Sequence, residues 1–269
     1  MASKRKADQQ AFRNAVKTLA ANIRFASVDD PVRVICVTSS VPSEGKTTTS
    51  AALGRALAEG GASVLLVECD MRRRSLAAAL GCHGAHGLYS VLAGDLSATE
   101  AAMPVKGHDG LFLLDAEPGI PNPVDLLQSK RFSAMLSQLR RRYDYVLLDT
   151  PPVSVFVDGA VVASQADATI LVARQGITRR DDAAASYVQL AQAGAKVIGA
   201  VLNGCDASSS GHYYGYYAKR REGGRAHLAP AGGPDLPTPP APAHSMTAPK
   251  AGSTGEMLAA AGYGPGDGR

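Results

Sequence analysis

An α/β domain, with a mostly parallel β-sheet flanked by helices on both faces, is the fold class predicted by this sequence of 269 residues, and three observations carry the prediction. Short apolar runs at residues 34–38, 64–67, 111–114, 145–148, 168–173 and 197–202 alternate with segments of helical period. Those runs are continuous rather than alternating in polarity, the pattern of strands covered on both faces. The first run leads through a turn of Ser, Pro and Gly into a helix that opens near Gly45, Lys46 and Thr47, and two later runs end on acidic side chains. Ligands of such sheets bind beyond the carboxyl ends of the strands, so these residues mark the functional edge.

Taken in order, the chain begins with a segment, 7–25, in which Phe12, Val16, Leu19 and Ile23 recur at helical spacing. That predicts a leading amphipathic helix packed on the domain's own core. After the strand at 34–38, a helix runs from Thr47 through Ala51, Leu53 and Leu57 to a stop at Gly60 and Gly61. Strand 64–67 ends in Glu68, Cys69 and Asp70, and Gly81, Gly84 and Gly87 then punctuate a loop before a small helix around 88–92. Beyond strand 111–114, Asn122 is placed to cap a helix with Pro123 at its first position and Asp125 three residues after the cap. Phe132, Met135 and Leu139 define one face of a helix over 131–142. Strand 145–148 delivers Asp149, and strands 168–173 and 197–202 flank a helix over about 179–193.

Past Cys205 the character changes. Residues 208–221 are polar and Gly-punctuated, contain Tyr213, Tyr214, Tyr216 and Tyr217, and end near the basic run Lys219, Arg220, Arg221. Residues 222–269 are dominated by Gly, Pro and Ala, a composition that cannot bury enough apolar surface to offset the entropy of ordering. The organisation expected is one domain over 1–207, a tyrosine-rich segment over 208–221 and a disordered C-terminal tail over 222–269.

Composition excludes several functional classes. A formal charge of +4, with bases interspersed among acids, gives no footprint for nucleic acid. The four cysteines have neither CxxC nor zinc spacing, which reads as a reduced cytoplasmic set. No run of 18 apolar residues occurs, and MASKRK is not followed by an apolar signal region, so a soluble cytoplasmic chain is expected.

The chemistry concentrates at the strand ends. In the loop SSVPSEGKTTT, backbone N–H groups at the mouth of a helix suit a polyphosphate. The Lys46 ammonium suits its β- and γ-phosphates, and the Thr47 hydroxyl suits a magnesium ion. A Gly-Lys-Thr tripeptide also occurs by chance in surface turns, but here a strand precedes it and a helix follows. The loop is therefore read as the phosphate-binding loop of a P-loop NTPase, on a three-layer, Rossmann-like sheet. Glu68, Asp70 and Asp149 add carboxylates at two more strand ends, where magnesium would take oxygen ligands through water. A carboxylate beside a γ-phosphate can also accept a hydroxyl proton. Arg72, Arg73 and Arg74 read equally well as a solvated turn or as phosphate or partner ligands.

These motifs together resemble the bacterial tyrosine kinases of capsular and exopolysaccharide synthesis. TSSVPSEGKTTT is similar to their Walker A motif, VLLVECDMRRRS to their second acidic motif and YVLLDTPP to their Walker B. NIRF at 22–25, GIPNPVDLLQS at 119–129, VLN at 201–203 and the cluster YYGYY are similar too, so the resemblance spans about 14–217. It implies that Ser43, Glu44, Gly45, Lys46, Thr47, Thr48 and Asn203 bind ATP and that Thr47, Asp70 and Asp149 hold Mg2+. Lys46, Glu68, Asp70 and Asp149 would be catalytic, with Glu68 a candidate base for the tyrosine hydroxyl. Tyr213, Tyr214, Tyr216 and Tyr217 would be phosphorylated by a neighbouring subunit. It also implies protein tyrosine substrates and a separate membrane-spanning activator that recruits the chain to the inner face of the cell membrane.

The chain departs from the family pattern at four places. Ser40 replaces the usual first glycine of the loop, Glu68 an aspartate and Arg74 a proline. The family's Glu-x-x-Arg-x-x-Arg oligomerisation motif falls on Asn14, Lys17 and Ala20, which lack two of the three charges, so weak self-association is expected. Two other readings stay open: a regulatory ATPase switch of the partition and septum-site type, and an interaction module whose tail docks on partners. The switch proteins carry an extra lysine early in the phosphate loop; here SVPSEGKT has none before Lys46.

Overall fold

Each apolar run becomes a strand because the sheet has no solvent face along its centre. In the computed structural model, which describes residues 2–25 and 31–205 and only the backbone of 2–7, seven strands form one sheet. They are β1 (Val34–Ser39), β2 (Val64–Glu68), β3 (Met103–Pro104), β4 (Leu111–Leu114), β5 (Tyr145–Asp149), β6 (Ala168–Arg174) and β7 (Val197–Asn203), in the order β3-β4-β2-β5-β1-β6-β7. All neighbours are parallel except β3 and β4. Nine helices lie among the described residues: α1 (Ala2–Phe25), α2 (Lys46–Glu59), α3 (Leu76–Leu80), α4 (Leu88–Ala93), α5 (Ala98–Ala101), α6 (Pro123–Leu127), α7 (Lys130–Arg142), α8 (Asp158–Ala163) and α9 (Arg180–Gln192).

Strand periodicity divides the core in two. Val34 and Cys36 of β1, with Leu65, Val67, Val146 and Leu148, join Leu88, Phe132, Met135, Leu139 and Leu190 in one core. Ile35 and Val37, with Leu66 and Leu147, join Ala20, Ile23, Leu53, Leu57 and Leu76 in the other. Alternate side chains of one strand thus feed opposite cores, and both β1 and β2 are buried throughout. Truncating Phe132 or Leu53, each wholly buried in its core, to alanine would cost about 2–5 kcal/mol.

The leading helix packs on α2 as its spacing predicts, with Val16, Ala20 and Ile23 buried, while Phe12 stays 39% exposed. Asn122 departs from expectation. It precedes α6 but sits at φ 50°, in the left-handed region, and makes no side-chain cap; its carbonyl accepts the Asp125 N–H at 3.2 Å instead. Elements α3, α5 and β3 are too short to leave a period in the sequence and were not foreseen. The tyrosine cluster and the tail expected after residue 207 lie outside the described residues. Among the described residues no helix is long and apolar enough to cross a membrane.

Candidate nucleotide and phosphoryl-transfer site

The sheet order places the site. Strands β2, β5 and β1 are adjacent, with Glu68 paired in register to Asp149 and Val37 paired to Asp149 from the other side. Three chemically distinct strand ends are thereby gathered on consecutive strands, with that of β5 between the other two.

The loop after β1 is folded by its own side chains. Ser39 Oγ donates to the Val41 carbonyl at 3.0 Å, and the buried Glu44 carboxylate accepts the Val41 N–H at 2.9 Å. Ser43 and Gly45 take positive φ, 68° and 96°, so the chain turns sharply into α2. Gly45 is required for two reasons: its φ, and a Cβ that would lie 2.0 Å from Asn203 Nδ2. Ser40 Oγ is buried with no partner among the described residues; the loop accommodates the hydroxyl without using it.

Helix α2 then presents Lys46, Thr47 and Ser50 toward the acids. Lys46 Nζ lies 3.2 Å from Asp70 Oδ2. Thr47 Oγ1 donates to Asp149 Oδ2 at 2.6 Å and therefore accepts from Ser75 Oγ at 2.9 Å, while Ser50 Oγ reaches Asp149 Oδ1 at 2.9 Å. Ser50 was not singled out from the sequence, although its place one turn after Thr47 sets it on the same helix face.

The carboxyls crowd one another. Burial pushes Glu68 up to about 8, the neighbouring Asp149 adds to the rise, and the Leu76 and Ser75 N–H groups oppose it. Asp149 is pushed up to about 6 by burial, against the Lys46 charge and the Thr47 and Ser50 hydroxyls. Glu68 is engaged on both oxygens: Oε1 accepts the Asp70 N–H at 3.1 Å, and Oε2 accepts those of Ser75 at 2.8 Å and Leu76 at 2.9 Å. It holds the turn from Asp70 to the start of α3.

Arginines complete the wall. Arg72 grips the buried Asp158 through Nε at 3.2 Å and Nη2 at 3.4 Å, and stacks 4.3 Å over the Phe156 ring. Arg73 donates its N–H to Asp70 Oδ1 at 2.9 Å, and Arg74 reaches the Ala116 carbonyl at 2.7 Å. The three arginines thus differ: the Arg72 and Arg74 side chains are pinned to Asp158 and Ala116, whereas Arg73 is tied only through its backbone N–H.

A cavity of about 220 Å³ opens above these groups, lined among others by Ser43, Gly45, Lys46, Thr47, Thr48 and Asp70 of the expected residues. Arg72 and Arg73, for which phosphate binding was one of two readings, also line it, as do Ser75, Pro152 and Phe156, which were not singled out from sequence. Glu44, Glu68, Asp149 and Asn203 stand behind the lining, not in it. A larger cavity of about 740 Å³ lies between α1 and α2, bordered by Phe12, Val16 and Arg55. It lacks the turned loop and the strand-end acids, so the smaller one is the candidate site.

The residues present fit a magnesium nucleotide. Every oxygen donor expected for the ion, from Thr47, Asp70 and Asp149, is hard, and the crowding that disfavours ionisation of the buried Glu68 and Asp149 is of the kind a bound cation relieves. Among the described residues no group of three or more His, Cys, Asp or Glu side chains could hold a metal ion.

Comparison with known proteins agrees with this geometry. A family model described as an AAA domain matches residues 32–177. Tyrosine-protein kinase YwqD of Bacillus subtilis is 35% identical over 204 residues, covering 76% of this chain and 85% of that protein. The kinase domain of Escherichia coli tyrosine kinase ETK superposes with a TM-score of 0.69 at 28% identity, covering 82% of this chain and 80% of that one. The septum site-determining protein MinD of Pyrococcus horikoshii, complexed with Mg-ADP, gives a TM-score of 0.56 at 26% identity over 63% of this chain and 69% of that one. The likeness to the tyrosine kinases is thus the stronger in both extent and superposition. The chain belongs to the bacterial tyrosine-protein kinase family.

Proposed function

We propose that the chain transfers the γ-phosphoryl group of ATP to tyrosine hydroxyls, its own C-terminal cluster first, and in doing so regulates capsular or exopolysaccharide synthesis. One observation carries this reading: Lys46, Thr47, Asp70 and Asp149 converge at the carboxyl ends of three adjacent strands, around a loop turned to receive phosphate. The regulatory-switch reading has less support, since the phosphate loop has no second lysine and the likeness to MinD is weaker.

In the transfer, the tyrosine oxygen bonds to the γ-phosphorus as the bond to the β–γ bridging oxygen breaks, and the hydroxyl proton passes to a carboxylate. Lys46 would turn from Asp70 to the phosphates, which frees Asp70, the acid that lines the cavity. We therefore assign the proton to Asp70 rather than Glu68, whose oxygens are engaged by three backbone N–H groups. Thr47 and Asp149 would hold magnesium, whose chemistry is to neutralise charge developing on the phosphates. Ser43, Gly45 and Thr48 would cradle them, with Glu44 and Asn203 shaping the loop from behind.

In this reading the kinase domain spans 1–207, the acceptor segment 208–221 and a Gly/Pro/Ala-rich tail 222–269. Tyr213 lies ten positions after Asn203, a span of at most about 35 Å. A tether that short must also turn back and align a hydroxyl, so transfer to a neighbouring subunit's tail is favoured. A membrane-spanning activator would bring subunits together at the inner face of the membrane, since Asn14, Lys17 and Ala20 supply few charges for self-assembly and Ala20 is buried. The test mixes a Lys46→Met chain, tail intact, with an active chain ending at Ala207, under Mg-ATP. Phosphotyrosine on the inactive chain supports the reading. A blank blot, with the active chain still modifying a tyrosine peptide, rules out transfer between subunits. No phosphotyrosine on any substrate rules out the kinase.

A further inference from the structure

The phosphate loop is held from behind by residues more than a hundred positions away, in the turn that links β6 to α9. Glu44, at the heart of the loop, is wholly buried. One of its oxygens accepts the Val41 N–H, and the other accepts the Thr178 hydroxyl. That hydroxyl has one proton to give and gives it to Glu44, so its lone pair is left to accept the Arg174 N–H at 2.7 Å. The turn is closed by the Thr178 N–H on the Arg174 carbonyl at 2.9 Å and joined to β7 by the Gln175 N–H on the Asn203 carbonyl at 2.9 Å.

Two further bonds fix the loop backbone. Arg174 Nη1 donates to the Ser43 carbonyl at 3.0 Å, and Asn203 Nδ2 donates to the Glu44 carbonyl at 3.1 Å. In a trans peptide the carbonyl and the next N–H point to opposite sides. Tying the carbonyls of Ser43 and Glu44 toward β6 and β7 therefore turns the N–H groups of Glu44 and Gly45 the other way. Neither N–H meets an acceptor among the described residues. Ser43 at φ 68° is a conformation that a non-glycine residue holds only when its surroundings impose it, and the Arg174 bond to its carbonyl is one such imposition.

We propose that Thr178 and Arg174 are positioning residues for phosphoryl transfer: acting through Glu44 and Ser43, they hold the loop with its N–H groups presented to the nucleotide phosphates. The proposal rests on the kinase reading above but concerns residues outside the strand-end motifs. Loss of the Thr178 bond to the buried Glu44 carboxylate, and of the charge-assisted Arg174 bond to the Ser43 carbonyl, predicts that Thr178→Val and Arg174→Met each weaken MgADP binding about ten- to a hundred-fold. The Michaelis constant for ATP should rise more than the turnover number falls, because the loop binds phosphate in ground and transition states alike. Thr178→Ser keeps the hydroxyl and should restore affinity to within about three-fold of the parent.

The experiment titrates MgADP calorimetrically into the full chain and the three variants, with thermal melting and ATP kinetics alongside. Weakened binding in Thr178→Val and Arg174→Met, restored in Thr178→Ser, with melting temperatures preserved, supports the clamp. Parent-like affinity in both Thr178→Val and Arg174→Met overturns it while leaving the kinase reading intact. Weakened binding that Thr178→Ser fails to restore, or that tracks a fall in melting temperature, assigns these residues to general stability and also overturns it. Failure of the parent chain itself to bind MgADP removes the kinase reading and the clamp with it.

Discussion

Two glutamates in this domain make the same contacts and meet opposite fates. Glu68 accepts N–H groups from Asp70, Ser75 and Leu76, and Glu117 accepts them from Gly87, Tyr89 and Ser90 at 2.7–3.0 Å; each steadies the start of a short helix. Burial raises both carboxyls. At Glu117 the N–H groups of Ser90, Tyr89 and Gly87, with the Ser90 side chain, outweigh burial and hold the carboxyl below its ordinary value. At Glu68 deeper burial and the adjacent Asp149 prevail, and the carboxyl is pushed up to about 8. Similar backbone hydrogen bonding thus gives a settled structural acid in one place and an overcrowded one in the other. The crowding comes from neighbours that fold stability alone does not call for, which is why perturbed acids mark functional sites. On the reading proposed above, the carboxylates at the ends of β2 and β5 would be relieved by a bound cation.

The contrast can be broken most forcefully at the cation. Lys46→Met removes the charge that opposes the acids and the group that meets the phosphates, so tyrosine phosphorylation should fall to background while circular dichroism reports an unchanged fold. Activity retained in a folded Lys46→Met chain would remove the phosphate-loop assignment. Asp70→Asn and Asp149→Asn keep shape and remove charge; turnover should drop by about a hundred- to a thousand-fold, with smaller losses of ADP affinity by calorimetry. Small and equal effects would make these acids structural.

The glutamates themselves give a finer test, through opposite slopes of stability with pH. Glu117, its carboxyl held below the ordinary 4.5, contributes stability that is present above that value and lost as pH falls through the folded value. Glu117→Gln should therefore lower the melting temperature at pH 7 and lose that effect in acid. For Glu68 the sign reverses: its contribution is complete below 4.5 and disappears as pH rises toward about 8. The melting temperature of Glu68→Gln should thus gain on the parent between pH 5 and pH 8. Parallel slopes for the two variants would erase the distinction. The smallest effects belong to the tail, where single changes of Tyr213, Tyr214, Tyr216 or Tyr217 to Phe should each remove a fraction of the phosphotyrosine signal and all four together most of it.

Where chemistry and local pattern coincide, the sequence was readable. Strand β4 falls on the expected 111–114, and the buried face of α7 holds Phe132, Met135 and Leu139 as its spacing predicts. Lys46, Thr47, Asp70 and Asp149 could be named because each sits where a strand ends or a helix begins. What escaped was long-range or irregular. Asp158 stands 86 positions from Arg72, and Thr178 stands 134 from Glu44, with no local signal linking either pair. The position of Glu68 was evident, but its surroundings depend on a chain reversal that brings Ser75 and Leu76 back to it. At Asn122 the residue type suited a cap, yet the left-handed backbone set the side chain elsewhere.

The central claim, that the crowded strand ends are set for a magnesium nucleotide, is tested most directly by melting the full chain at pH 8 with ADP alone, Mg2+ alone and both together. Ligand that binds only the folded state raises stability by mass action. The account predicts a rise of several degrees with both, little with either alone, and a much reduced rise in Asp149→Asn. An equal rise in parent and Asp149→Asn, or none with Mg2+ and ADP together, would contradict it.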